Sequence, residues 1–320
     1  MSNATKIWLI IASSFVFLGL VTVTVVMALC HWDFSLLSTA KYEQVSHEIT
    51  DGFENISIDA STADVVFLSS DDDTCQIICY QNEHTKYSVN VVGDTLTITE
   101  SDERKWHDYV GITFGSPNIT VYLPKTKYAT LSISGSTGDI SIPKDFNFEN
   151  LDISLSTGDI TSYAFVSKQI KLKGTTGNVH LENINAKEID VSLSTGNVYV
   201  KNSVFTDNVE IRVSTGNVTL SDISCKNLTS HGNTGKITLD SVIASAKISI
   251  ERSTGDVTFN RCDAGEIFVL TDTGDVEGSL LSEKIFFVLT DTGKKEIPNT
   301  FSGGKCEIKS DTGDVKIRID

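Results

Sequence analysis

Two hydrophobic patterns divide the chain. From residue 7 to residue 30 it reads IWLIIASSFVFLGLVTVTVVMALC, twenty-four positions without a charge. Beyond that run, apolar and polar residues mostly alternate at period two. The first pattern predicts a helix of about 36 Å, long enough for a hydrocarbon core of about 30 Å. In lipid the backbone must satisfy its own hydrogen bonds, which favours helix despite the many β-branched residues. Lys6 precedes the run; Asp33, Glu43, Glu48 and Asp51 follow it, with Lys41 the one base among them. That asymmetry predicts a cytoplasmic tail (1–6), a transmembrane helix (7–30) and an extracytoplasmic remainder at the cell membrane. Cleavage of the segment as a leader after Val26-Met27-Ala28 is the alternative. The run exceeds the usual apolar region of a signal peptide, so a retained anchor is expected.

The second pattern repeats. A motif [Ser/Thr/Asp/Asn]-Thr-Gly-[Asp/Asn/Lys] recurs with its glycines at Gly138, Gly158, Gly177, Gly196, Gly216, Gly235, Gly255, Gly274, Gly293 and Gly313, always 19 or 20 residues apart. An alternating run precedes each motif (Leu151, Ile153, Leu155; Val209, Ile211, Val213) and another follows it (Val198, Val200; Val218, Leu220). Period two marks strands with one buried face. Glycine at the bend supplies a positive φ, and the following Asp or Asn can bond nearby backbone donors. A unit this short cannot bury its own apolar face, but stacked units can. The predicted fold is all-β: a β-solenoid, parallel β-helix-like, of about ten coils over residues 135–320. A propeller is disfavoured because a four-stranded blade takes about 40 residues.

Column alignment agrees with stacking. Seven residues after the glycines come Phe165, Ile184, Ile223, Val242, Cys262 and Leu281; nine after come Ala186, Cys225, Ala244 and Ala264. Both columns are expected to be buried, with Cys225 and Cys262 as core thiols. Residues 48–134 are strand-rich without the interval and predict an N-terminal cap, in which Ser61-Thr62-Ala63-Asp64-Val65 looks like a degenerate first copy of the motif. Residues 31–47 are expected to be a stalk. Cys75 and Cys79 lie on one strand face, too far apart for a direct bridge, and their pairing stays open. The strand at residues 315–319 has no evident cap. Its coil is therefore expected to be covered by a neighbour or protected by Lys316, Arg318 and Asp320.

Composition narrows the chemistry. With 42 acidic against 26 basic residues the formal charge is −16, which excludes a nucleic-acid partner. Six cysteines are too few for a disulfide scaffold. His31, His47, His84, His107, His180 and His231 show no metal-ligand spacing. Asp139, Asp159, Asp256, Asp275 and Asp314 follow the glycines and could be read as glycosidase carboxylates or calcium ligands. Asn178, Asn197, Asn217, Lys236 and Lys294 hold the same position elsewhere, so a turn role is expected, with calcium incidental. No catalytic residue, metal or cofactor is expected. Arg104, Trp106 and Tyr109, in a charged aromatic insertion outside the repeat, are the candidate partner-binding residues.

The Ser-Thr-Gly-Asp-[Ile/Val] turns, the strand-rich lead-in and the apolar N-terminal segment together resemble the bacterial adhesin-type, toast-rack family of β-strand-repeat domains, over about residues 50–320. The resemblance implies an envelope protein and supplies no catalytic residues. The expected function is a membrane-anchored binding or scaffold protein, adhesin-like or envelope-stress-associated, facing cell-wall polymer or another envelope protein. A polysaccharide-active enzyme of the β-helix type is the alternative, and a sensory ectodomain is a third reading.

Overall fold

The computed structural model describes residues 2–33, 41–70, 74–103 and 116–320. The apolar run forms one helix, Asn3–Leu29, capped by the Ser2 side chain, which accepts from the Thr5 N–H. Ser14, Thr22 and Thr24 donate their hydroxyls to the carbonyls of Ile10, Leu18 and Leu20, so these polar groups are satisfied within the helix. That arrangement suits a segment with no water to hydrogen-bond.

The remaining described residues are mostly strand. The strands before each glycine stack in parallel: Leu151 lies between Leu131 and Ile170, and the row continues through Ile189, Val209, Leu228, Ile248 and Ile267. The strands after each glycine form a second row, Ile140, Ile160, Val179, Val198, Val218, Ile237, Val257 and Val276. These residues are buried, so one apolar interior runs through the stack. The β-solenoid of about ten coils expected from the interval is the observed architecture.

The glycines align in one column. Gly158 stands on Gly138, Gly177 on Gly158 and Gly196 on Gly177, each so close that an added Cβ would lie about 2 Å from the carbonyl oxygen below. Nine of the ten have φ between +133° and +156°, where an L side chain is strained. Two independent constraints therefore demand glycine. The foot of the column is Ala63, whose carbonyl lies under Gly138. The degenerate motif is thus a genuine first coil, with strand Asn55–Thr62 pairing with Lys127–Thr137 across the intervening cap.

At both ends, spatial order departs from sequence order. Below the first coil, Thr95–Asp102 pairs with Asn55–Thr62, and Asn118–Leu123 pairs with Asp64–Ser69. Antiparallel strands Thr85–Val92, Cys75–Asn82 and Tyr42–Ile49 then close the cap. Residues 42–47, expected in the stalk, therefore belong to a cap strand. At the other end, Gly304–Thr312 pairs with Val257–Thr273 on one side and with Lys284–Thr290 on the other. Val315–Ile319 likewise lies between Val276–Leu280 and Lys295–Glu296. The Gly313 coil is inserted beneath the Gly293 coil. Residues 315–319 are interior, so the expectation that they form the uncovered end is corrected: the end coil carries Lys294 and the irregular Glu296-Ile297-Pro298.

The column positions also need one correction. Ile184, Ile223, Val242, Cys262, Ala186, Cys225, Ala244 and Ala264 are buried, but Phe165 and Leu281 are exposed. In those coils a shift of one residue turns Val166 and Leu280 inward, Val166 beside Phe148 and Leu280 beside Cys262. The shift follows from a second corner, six residues after the glycine. There Asn183, Asn202, Asp222, Ser241 and Arg261 adopt φ between 49° and 61°, whereas the coils of Phe165 and Leu281 lack this left-handed residue.

Cys75, Cys79, Cys225, Cys262 and Cys306 are buried free thiols, and Cys30 is half-buried. Burial pushes Cys75, Cys79, Cys225 and Cys306 up to about 12, and it raises Cys262 as well. A thiol-reactive probe at pH 8 should therefore label at most Cys30 in the folded chain and all six cysteines in denaturant; native labelling of Cys75 or Cys79 would contradict this packing. Gly196→Ala combines left-handed strain with backbone overlap and should destabilise by about 2–5 kcal/mol. Ala63→Gly, at the foot of the same column, should cost no more than about 1 kcal/mol. Thermal melts of the two variants compare them directly.

Candidate functional site: the corner ridge

The position after each glycine builds a hydrogen-bond ladder along the corner. Asp64 Oδ1 accepts the Asp139 N–H at 2.8 Å, Asp139 accepts Asp159 at 2.8 Å, and Asp159 accepts Asn178 at 2.6 Å. Asn178, Asn197 and Asn217 then accept the N–H of Asn197, Asn217 and Lys236. A second run links Asp256 to Asp275, Asp275 to Asp314, and Asp314 to Lys294. Each acceptor side chain satisfies a corner N–H of the next coil, which explains why Asp and Asn interchange. Lys294, whose side chain has no acceptor, ends this run at the outermost coil. Lys236 ends the first run in mid-stack, and the structure gives no reason for it.

The five carboxylates weighed as catalytic or calcium-binding are thus each engaged by backbone. Among the described residues no three His, Cys, Asp or Glu side chains cluster as a metal site.

Beside this ladder runs an exposed line of threonines. Thr62, Thr137, Thr157, Thr176, Thr195, Thr215, Thr234, Thr254, Thr273 and Thr312 occupy equivalent positions, paired coil to coil. All are exposed. The strand spacing sets their separation at about 4.8 Å. On the early coils this line borders a trough of about 400 Å³ lined by Asp59, Ser134, Ser154, Ser156, Lys173 and Thr175, among others. Gly135 and Gly174 flank Leu155 beneath it; their Cβ atoms would meet Leu155 or Leu193 at 3.0 Å or less. The trough offers hydroxyls, one carboxylate and one amine, which suits a ligand rich in hydroxyl groups.

A larger groove, about 1010 Å³, lies near the end coil between Asp240, Glu277, Glu296, Lys316, Arg318 and Pro298, among others. It exists because Gly278 has no side chain and because the covering strand, Lys295–Glu296, is two residues long. Glu277 and Glu296 are exposed, and Glu296 pairs with Lys316 at 3.4 Å. A general acid wants a desolvated, unpaired carboxyl. Neither residue offers one.

The candidate residues Arg104, Trp106 and Tyr109 lie outside the described residues. Sequence reasoning missed Arg252, which is buried in the inner column between Gly232 and Thr271. Gly232 makes room for it: a Cβ there would overlap the guanidinium. Its Nη1 donates to the Val213 carbonyl at 2.8 Å, and burial lowers its pKa to about 10. Further along the same column Thr271, Ser310 and Thr290 donate to the carbonyls of Gly255, Gly274 and Gly313. These three hydroxyls therefore pin the glycine corner from inside. The abnormal His231-Gly232 step before a motif was the available signal.

Residues 53–206 and 186–319 each match the family model described as Toastrack DUF4097. Among solved structures, a "putative lipid binding protein" from Parabacteroides distasonis is 16% identical, covering 86% of this chain and 97% of its own, with a TM-score of 0.46. A "putative adhesin" from the same organism is 13% identical, covering 88% of this chain and 98% of its own, with a TM-score of 0.47. A "putative adhesin" from Bacteroides fragilis is 16% identical over 86% and 97%, with a TM-score of 0.38. No curated protein matches.

The ladder makes a signed prediction. Asp159→Asn keeps the acceptor for the Asn178 N–H and removes a charge next to Asp139, so stability should be unchanged or slightly raised. Asp159→Ala removes the acceptor and should cost about 0.5–1.5 kcal/mol. Denaturant melts of both variants in low salt read the difference.

Proposed function

The chain belongs to the Toastrack DUF4097 family, and from that premise we propose that it is a membrane-tethered, non-enzymatic binding scaffold of the cell envelope. In this reading the helix Asn3–Leu29 is a retained anchor with its short tail in the cytoplasm. The solenoid stands outside and presents its hydroxyl ridge to a repeating, hydroxyl-rich polymer such as a cell-wall glycan. The supporting observation is the exposed threonine line: a ligand repeating on a similar spacing meets the same groups at every coil, and weak contacts add. The engagement of the corner carboxylates by backbone supports a scaffold over the polysaccharide-cleaving alternative. Arg104, Trp106 and Tyr109 remain the proposed contact for a protein partner, tested by Trp106→Ala in envelope pull-downs.

The ridge is tested by co-sedimentation of the full chain with isolated cell-wall polymer. Replacing Thr157, Thr176 and Thr195 together by valine keeps shape and strand propensity while deleting three adjacent hydroxyls. At about 0.5–1.5 kcal/mol per hydrogen bond, polymer binding should fall roughly ten- to a thousandfold. Unchanged binding with an unchanged melt would remove the ridge from the function. Release of new reducing ends from the polymer would restore the enzymatic alternative.

A further inference from the structure

The end coil closes the stack poorly. Lys284–Thr290 pairs with Gly304–Thr312 on its inner side, and among the described residues nothing pairs with its outer edge. Five consecutive residues, Ile285-Phe286-Phe287-Val288-Leu289, carry no charge. Ile285, Phe287 and Leu289 face outward and are 40%, 54% and 55% exposed, while Phe286 and Val288 are half-buried against the core. A bare edge strand of this kind is a template for another strand, and monomeric proteins normally blunt such edges with charge.

Charge along the chain selects the partner. Residues 283–320, which make up the last two coils, hold seven acidic and seven basic side chains and are neutral. Residues 41–103, which contain most of the opposite cap, hold fourteen acidic and two basic side chains. In a chain of charge −16, the end coil is thus a place where two copies can meet without like-charge repulsion, whereas the cap ends repel. Lys305 and Lys309 near the edge are both paired to Glu307, at 2.7 and 2.5 Å, with the Lys305 ammonium also 5.5 Å from the centre of the Phe287 ring, and Lys284 is buried against Asp263 at 2.6 Å, so these three ammonium groups are already engaged within the chain.

We infer that two copies of this chain join end coil to end coil, with Lys284–Thr290 pairing antiparallel to its symmetry mate. Centred on Phe287, that pairing sets Phe286 opposite the partner's Val288 and Ile285 opposite the partner's Leu289. Inward residues then meet inward residues, and the two apolar interiors become continuous. The contact uses the same patch on both copies, so it closes as a dimer and does not propagate into a fibre.

Cysteine cross-linking of the full-length chain in membranes of the expressing cells tests the register. Cys30→Ser removes the one cysteine that is not buried, and the five buried thiols stay silent. In that background Phe287→Cys should give a covalent dimer under mild oxidation, seen on a non-reducing gel. Gln44→Cys, exposed on the cap edge, should not. The double variant Phe287→Lys, Leu289→Lys should shift the detergent-solubilised chain from dimer to monomer in sedimentation with an unchanged circular dichroism melt, since both side chains are exposed. Equal cross-linking at residues 44 and 287, or a wild-type monomer at high concentration with no cross-link from residue 285, 287 or 289, would overturn the inference. So would lysine-sensitive binding of the monomer to lipid vesicles.

Discussion

The structure depends on one close approach: the corner α-carbon of each coil sits on the corner carbonyl of the coil beneath. A side chain at that point would occupy the space of backbone, so only glycine lets the coils close to one strand spacing with the strands on either side in register. The same corners hold φ near +140°, a conformation that strains an L side chain. Other features of the ridge inherit this constraint. The Asp and Asn side chains reach the next N–H at 2.6–3.0 Å because the coils are held one strand apart, and the threonines form a straight line for the same reason.

The stack was legible in the sequence because glycine spacing and period-two alternation are local and redundant. Ten corners with nearly one interval determine the coil, and Leu151, Ile153 and Leu155 determine which face turns inward. What escaped was order. The last three corners keep the interval of 19 or 20 residues although their coils are stacked as Gly274, Gly313, Gly293. Parallel strand edges are chemically alike, so alternation cannot say which edge a coil accepts. Two residues did carry the information. Lys294 has no acceptor to offer a following coil, and Pro298 cannot donate to a ladder. Lys236 shows why the first signal is ambiguous alone, since it breaks the ladder with a coil on each side.

The ridge was legible in composition but not in meaning. Repeated Asp-Gly corners read equally as catalytic, calcium-binding or structural, and only the partner of each oxygen separates the three. Once Asp139 is seen accepting from Asp159 and Asp159 from Asn178, amide and carboxylate become equivalent and a catalytic reading loses its support. Arg252 lay hidden for the opposite reason. A period-two pattern assigns an inward position to an apolar side chain, and a guanidinium fits there because Gly232 on the adjacent coil vacates the site and the Val213 carbonyl, one coil further, accepts from it.

The two ends of the solenoid solve one problem with different geometry. An antiparallel strand can fold back through a short turn, so the acidic cap closes with Thr85–Val92 reversing onto Thr95–Asp102. A parallel coil has no such option, because its next strand must travel around the prism before it can pair. Exchanging the last two coils shelters Val315–Ile319 but leaves Lys284–Thr290 outermost, moving the open edge without removing it. Closing contacts there also span about two coils of sequence, as between Val276 and Val315, whereas the middle of the stack pairs each coil with the next. A neutral, apolar edge opposite a strongly acidic cap gives the molecule a polarity that the repeat itself lacks.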